Sequence, residues 1–249
     1  MTGHVFVGGL HRTGTSLVAR WLAAHPAVTG FRDTGVWEDE GQHLQDVLPP
    51  ARLLGGPGVF AFHPAARQGP VENDRVPALR QALLRTWLPL WGEGTWRLEK
   101  SPPNLLRSPL LAQLFPDARF VFTVRHPLAV AYATRRMARS RRQLDVVEMV
   151  RHWCVAYEQL QQDRAELQPG QSVLLPLEDL ARQGSIDPAF SLLGLSPVPA
   201  PEPLRPDPNS AYRAAMVRAG SRLRPRLRTR LEALRARVSA CGYSLFEDG

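Results

Sequence analysis

Two kinds of hydrophobic pattern alternate along the chain. Short, continuous apolar runs, such as residues 5–7 and 120–122, are typical of strands buried on both faces of a sheet. Between such runs, apolar residues recur at helical spacing, as at Leu17, Val18 and Trp21. The pattern predicts strands over residues 5–7, 95–99, 119–124 and 172–177, and helices over residues 13–24, 74–91, 104–115, 129–139, 146–167 and 221–241.

The alternation of strands and helices predicts an α/β fold. Right-handed β-α-β units build a mostly parallel central sheet with helices packed on both sides, so we expect a P-loop-like, three-layer architecture. No repeat or low-complexity linker divides the chain, and a single domain over residues 1–249 is expected. Residues 27–72 follow no regular pattern, and a loop of this length inside a compact domain is usually functional.

The turn after the first predicted strand carries the clearest chemical signal. Residues 9–16 read Gly-Leu-His-Arg-Thr-Gly-Thr-Ser, and a Gly-rich turn at a helix N-terminus lets backbone N–H groups approach phosphate oxygens. Thr15 stands where a nucleotide kinase has Lys, and the strand over 119–124 leads to Arg125 rather than to an acidic metal ligand. The turn therefore favours a shorter anion without a metal; a metal-dependent nucleotide or small-molecule kinase is the alternative. The side chains available for the anion are those of Arg12, Thr13, Thr15 and Ser16.

Charge and composition single out one residue. The net charge is +8 at pH 7, which suits an anionic ligand. Lysine and arginine together number 31, yet Lys100 is the single lysine of a chain whose composition is typical of a GC-rich genome. Ammonium is a compact point charge and guanidinium a planar fork, so a lone Lys indicates a position that Arg would not serve. The alternative is that this Lys was retained by chance.

Several absences point to the cytoplasm. No run of about 18 apolar residues could span a membrane, and the N-terminus lacks the pattern of a signal peptide. Cys154 and Cys241 lie far apart and have no metal-ligand spacing, so we expect free thiols in a reducing compartment. The expectation is a cytoplasmic protein without a metal.

Residues 8–26, 98–104 and 119–136 resemble the sulfotransferases that use 3′-phosphoadenosine 5′-phosphosulfate (PAPS), in particular a bacterial branch related to tyrosylprotein sulfotransferases. The resemblance implies transfer of a sulfuryl group from PAPS to a hydroxyl of a small-molecule acceptor, with release of 3′,5′-ADP. It also implies that Arg125 binds the 3′-phosphate and that Lys100 stabilises the departing oxygen. The residues that it assigns to the 5′-phosphosulfate are Arg12, Thr13, Gly14, Thr15 and Ser16, with Gly9 and His11 as further candidates in the same turn.

Two positions depart from the family pattern. Ala133 replaces a Ser that commonly follows the 3′-phosphate Arg by eight residues, and Leu177 replaces a Tyr often found near the fourth strand. Thr134, together with Arg135, Arg136 or Arg139, would then substitute for that Ser in the 3′-phosphate site.

The acceptor hydroxyl requires a base, and the loop over 27–72 supplies the candidates. In the tyrosylprotein branch the base is a Glu followed by Thr, and the pair that matches by spacing is Asp33–Thr34. Asp33 is therefore favoured. Glu38 and Glu40 are the alternatives, and a solvated turn is the simpler interpretation of residues 38–40.

Arginines crowd the C-terminal region, where residues 221–241 are predicted to form one helix. Leu223, Leu227, Leu231 and Leu234 recur at helical spacing, which predicts one packed face and a solvated Arg face. A nucleic-acid-binding module is the rival hypothesis, but the stretch lacks the interleaved aromatic residues of a single-strand binder. We expect no nucleic acid among the partners.

Overall fold

The computed structural model describes residues 2–137 and 145–246, and within them five strands and ten α-helices follow one another, with short 3₁₀ turns between some of them. The strands are β1 (Gly3–Gly9), β2 (Val28–Gly30), β3 (Trp96–Lys100), β4 (Arg119–Val124) and β5 (Ser172–Pro176). The helices are α1 (Thr15–Leu22), α2 (Val76–Trp87), α3 (Ser108–Leu114), α4 (Pro127–Met137), α5 (Val146–Glu166), α6 (Leu177–Gln183), α7 (Asp187–Leu192), α8 (Ser210–Gly220), α9 (Pro225–Glu232) and α10 (Arg235–Ala240).

The five strands form one parallel sheet in the order β2-β3-β1-β4-β5. Val7 of β1 lies opposite Lys100 of β3 on one side and opposite Val121 of β4 on the other. The carboxyl ends of β1, β3 and β4 therefore meet at the same edge of the sheet. This register brings together the Gly-rich turn, Lys100 and Arg125, which are far apart in the sequence.

Alternation along the strands builds a hydrophobic core on each face of the sheet. Val5 and Val7 belong to the cluster that includes residues of α1, α6 and α7. Phe6, Phe120 and Phe122 belong to the larger cluster, which includes residues of α2, α3, α4 and α5. The sheet is thus enclosed between two helical layers, which confirms the predicted three-layer α/β fold.

The segment over 27–72 contains more structure than its sequence indicates. β2 forms the edge strand of the sheet, and five 3₁₀ turns follow it. A three-residue strand is too short to show alternation, so the pattern could not predict it. The helices α6, α7 and α8 were not predicted either, while the predicted end of α4 at Arg139 lies outside the described residues.

The prediction of one helix over 221–241 is wrong. Two short helices, α9 and α10, occupy this region. Pro225 restricts the residue before it, and Arg224 has φ −129° and ψ 61°, which is not helical. Leu223 consequently lies outside the helix and is 88% exposed, whereas Leu231 is fully buried, so only part of the predicted leucine face packs.

Many arginines of this region form ion pairs instead of facing solvent alone. Arg237 of α10 donates two hydrogen bonds of 2.6 Å to the carboxylate of Glu158 on α5. Arg230 of α9 pairs with Asp145, the residue that caps the N-terminus of α5. These pairs attach the C-terminal helices to the core layer. Among the described residues, no helix has the length and hydropathy required to cross a membrane.

Candidate active site

The turn between β1 and α1 is locked to β4 by a buried threonine. Thr13 Oγ1 donates to the carbonyl oxygen of Leu10 at 2.7 Å and lies 2.8 Å from Thr123 Oγ1. The N–H of Thr13 also donates to Leu10 O, at 3.2 Å. Thr13 is fully buried, so its hydroxyl stabilises the turn and is not exposed to solvent.

Two residues of the turn adopt left-handed backbone conformations, Arg12 with φ 73° and Gly14 with φ 99°. Gly14 has no Cβ to clash there, which explains its place in the motif. Gly9 is required by packing, because a Cβ on it would lie 2.7 Å from Thr13 Oγ1. The turn is thus held in one shape, with the first-turn N–H groups of α1 directed outward from the helix end.

A cavity of about 420 Å³ opens in front of this turn. Arg125 borders it and is 5% exposed. Its Nε donates to Asn209 Oδ1 at 2.9 Å, its Nη1 donates to Arg12 O at 3.0 Å, and its Nη2 donates to Pro208 O. Other residues that line this cavity include Arg12, Gly14, Thr15, Ser16, Leu177, Leu204, Arg205 and Tyr212. Two acidic residues also line it, Glu38 and Glu202, and Glu202 is paired with Arg20.

The guanidinium of Arg125 is held by these three hydrogen bonds, while Glu178 and Asp207 act on it only from beyond ion-pair distance. It lies over the ring of Tyr212, 5.4 Å from its centroid, and burial lowers its pKa. Within the described residues no acidic side chain forms an ion pair with it. A buried cation of this kind, together with Arg12 and the helix N-terminus, makes the cavity suitable for an anion.

A second cavity, of about 480 Å³, contains Lys100. This side chain is 4% exposed, and its Nζ donates to Glu40 Oε1 at 3.0 Å. Ser16, Arg20 and Glu38 line both cavities and form the junction between them. The remaining lining residues of the second cavity include Gly30, Phe31, Arg32, Asp33, Asp39 and Leu98.

The three candidate bases have different surroundings. Glu40 is 5% exposed and bonds to Lys100 and to Gln42 Nε2, so it holds the ammonium group in place. Asp33 is exposed and borders the second cavity. Glu38 lies at the junction, where Ser16 Oγ donates to its Oε2 at 2.8 Å and Lys100 Nζ is 3.9 Å from the same oxygen.

Left-handed backbone conformations are concentrated at this site. Asp33, Glu38 and Asp39 have φ values of 53°, 54° and 49°, and with Arg12 they are the non-glycine residues of positive φ in the part of the chain that the structure describes. Such conformations cost about 1–3 kcal/mol each and cluster at functional sites. Their grouping around the two cavities is independent support for an active site.

Besides Gly9 and Thr13, which shape the turn, the predicted ligands His11, Thr134, Arg135 and Arg136 line neither cavity, and Arg139 lies outside the described residues. Thr134 is buried within α4, and Arg136 is exposed farther along the same helix. His11 packs edge-on against Phe60 at 5.7 Å between ring centroids, and burial, with a contribution from Lys100, lowers its pKa to about 4. His11 is therefore neutral at pH 7, and its ring packs against Phe60.

Sequence reasoning missed the residues that position the site from a distance. Glu99 is buried, accepts hydrogen bonds from Ser101 and Asn104, and has a pKa raised by burial. Glu99 fixes the end of β3 next to Lys100. Its position beside the single lysine could have identified it as part of the site from the sequence. Asn209 and Tyr212 contact Arg125 across more than 80 residues of sequence, and no local pattern announces them.

The family follows from a comparison with known sequences. A model described as the Sulfotransferase family matches residues 4–185, which include the turn, Lys100 and Arg125. The chain belongs to the sulfotransferase family. Its members transfer sulfuryl groups, so this sulfotransferase is an enzyme, and the kinase alternative is not favoured. No match was found among curated protein sequences.

Solved structures agree with this sulfotransferase in fold. A sulfotransferase from Alicyclobacillus acidocaldarius is 19% identical, with a TM-score of 0.55 over 98% of this chain and 100% of that one. The sulfotransferase domain of the Synechococcus PCC 7002 olefin synthase is 16% identical, with a TM-score of 0.51 over 94% of each chain. At these identities the likeness supports the fold alone. Among the described residues, no cluster of His, Cys, Asp or Glu has the arrangement of a metal site.

Proposed function

We propose that this sulfotransferase transfers the sulfuryl group of PAPS to a hydroxyl of a small-molecule acceptor and releases 3′,5′-ADP, without a metal ion. The observation that carries the proposal is the junction of the two cavities. The anion-binding turn and Arg125 face the first cavity, Lys100 faces the second, and Ser16 and Glu38 belong to both. A donor in the first cavity and an acceptor in the second would meet beside Lys100.

The donor fits the charges of the first cavity. The N-terminus of α1 and Arg12 suit the 5′-phosphosulfate, since first-turn N–H groups and a guanidinium both favour anionic oxygens. Arg125 suits the 3′-phosphate, with Arg205 on the same cavity wall as a second cation. We assign to Arg205 the role in 3′-phosphate binding that the sequence suggested for Thr134 or Arg136, because Arg205 lines the cavity and they do not.

Lys100 has the surroundings required of a group that stabilises the departing oxygen. Sulfuryl transfer builds negative charge on the leaving phosphate oxygen, and a fixed, buried donor near that oxygen lowers the barrier without reorganising. Glu40 holds the ammonium group at 3.0 Å. The loss of one donor of this type typically lowers the rate about 10²- to 10³-fold.

We favour Glu38 as the base that accepts the proton of the acceptor hydroxyl. It is the candidate carboxylate that borders both cavities, and its side chain is 43% exposed and able to turn toward an acceptor. Glu40 is engaged by Lys100 and Gln42, and Asp33 borders the second cavity alone. Removal of a general base typically lowers the rate about 10²- to 10⁴-fold.

Calorimetric titration with 3′,5′-ADP tests the donor. We expect micromolar binding that is the same with Mg²⁺ and with EDTA, and loss of binding in Arg125→Ala. Arg119→Ala is the matched control, since Arg119 lies at the opposite end of β4. Binding of ATP that requires Mg²⁺, without binding of 3′,5′-ADP, would show that the donor is wrong.

A further inference from the structure

One carboxylate contacts the anion-binding turn itself. Glu38 Oε2 accepts a hydrogen bond from Ser16 Oγ at 2.8 Å and lies 3.9 Å from Lys100 Nζ. A hydroxyl of the turn and the buried ammonium group therefore share one anionic oxygen of the protein. Each of these two groups is one that an anionic ligand at the junction of the cavities would use.

The position of Glu38 depends on its backbone and not on packing. Its φ of 54° and ψ of 22° turn the chain sharply, and the next residue, Asp39, accepts hydrogen bonds from Thr34 N at 2.9 Å and Thr34 Oγ1 at 2.6 Å. These bonds close the turn that presents Glu38. Its own side chain is 43% exposed, so rotation into solvent would free Ser16 Oγ and leave Lys100 with its shorter bond to Glu40, without disturbing the core.

We propose that Glu38 is a specificity-determining residue of the donor site, because its carboxylate competes with ligand anions for Ser16 and Lys100. The inference rests on the proposed function, since it takes the donor to bind at this turn. A small anion such as sulfate gains few contacts and cannot displace the carboxylate. A nucleotide that also reaches Arg125 gains enough contacts to do so.

Competition of this kind has a signature that other roles of Glu38 lack. When the binding-competent form is only a fraction of the protein, the apparent affinity falls by that fraction. Removal of the carboxylate should therefore tighten the binding of every anion that needs this position. A residue that only accepts a proton during the reaction would leave donor affinity unchanged.

Calorimetry with 3′,5′-ADP compares the wild type with Glu38→Gln and Glu38→Ala. Both variants should bind about 10-fold more tightly than the wild type. Asp33→Asn is the matched control, because it removes one negative charge from the same loop without a contact to Ser16 or Lys100; its affinity should stay within about 2-fold. Thermal unfolding with added sodium sulfate gives a second readout, with a larger stabilisation of Glu38→Gln than of the wild type.

The outcomes separate the two proposals. Unchanged or weaker binding in the Glu38 variants would overturn the competition, as would equal tightening in Asp33→Asn, which would indicate a long-range charge effect. Failure of 3′,5′-ADP to bind the wild type and every variant would overturn the proposed donor, and the competition with it.

Discussion

At the scale of single residues, chemistry and position agree best at Lys100. Composition alone selected it, since it is the one lysine beside many arginines. In the structure it is 4% exposed at the end of β3, bonded to Glu40. A compact ammonium group fits such a position, whereas the planar guanidinium of Arg needs room for a fork of donors. At Thr13 motif and position disagree: the motif predicts a ligand, whereas its hydroxyl donates a hydrogen bond within the turn, to Leu10 O.

The two threonines of the turn should separate stability from binding. Thr13→Val removes a buried hydroxyl with two partners, so we expect a loss of about 1–3 kcal/mol in the free energy of unfolding, measured by urea denaturation. Thr15→Val changes a residue that lines the first cavity, and we expect weaker binding of 3′,5′-ADP with little loss of stability. Equal stability of wild type and Thr13→Val would contradict this assignment.

At the scale of elements, short helices owe their stability to packing. Isolated helices of the length of α9 and α10 are marginal in water, so their attachment must come from buried side chains and from contacts to α5. Leu231 is fully buried, and Arg237 pairs with Glu158. Leu223 falls on the same helical spacing as Leu231 but is exposed, because α9 begins only at Pro225 and Leu223 lies before it.

Substitution of these two leucines tests the corrected boundary. Leu231→Ala should lower the free energy of unfolding by about 2–5 kcal/mol, the range for a buried Leu that leaves a cavity. Leu223→Ala should change it by less than about 0.5 kcal/mol, as is usual for surface positions. Urea denaturation of both variants gives the comparison, and similar losses would restore the prediction of one continuous helix.

At the scale of the whole molecule, burial favours the neutral form of three histidines, His4, His11 and His152. Burial lowers the pKa of His4 to about 4, with a further contribution from Arg97, and burial lowers the pKa of His152 to about 3. His11 behaves in the same way. Below pH 6.5 the unfolded chain binds protons that the folded protein does not accept until near pH 4. Acidification over this window therefore favours unfolding.

We expect these histidines to lower the free energy of unfolding as the pH drops from 6.5 toward 4, by up to about 1.4 kcal/mol per pH unit for each of them. His4→Phe is the informative variant, since His4 lies against the aromatic rings of Phe115 and Trp91 and its Nε2 has no partner among the described residues. The slope of the free energy of unfolding against pH should decrease in His4→Phe, by the contribution of the one proton that His4 binds in the unfolded chain. Denaturation of both proteins at several pH values checks this, and parallel curves would argue against a buried neutral His4.

Local patterns in the sequence determined the parts of this protein that depend on neighbouring residues. The apolar run of β4, the long helix α5 and the Gly-rich turn were predicted because burial and backbone geometry impose a period or a residue type on consecutive positions. Together with Lys100 and Arg125 they were sufficient to indicate the family and the α/β class.

Only the tertiary structure decided which side chains meet. How helices and loops pack at one edge of the sheet decides three features of the site. Asn209 and Tyr212 contact Arg125, and Glu38 contacts Ser16. Thr134 and Arg136 do not line the cavity. Contacts that span from 22 to more than 80 residues leave no periodic trace in a single sequence, because any of several carboxylates or arginines satisfies the same pattern. Packing against the sheet selects among them.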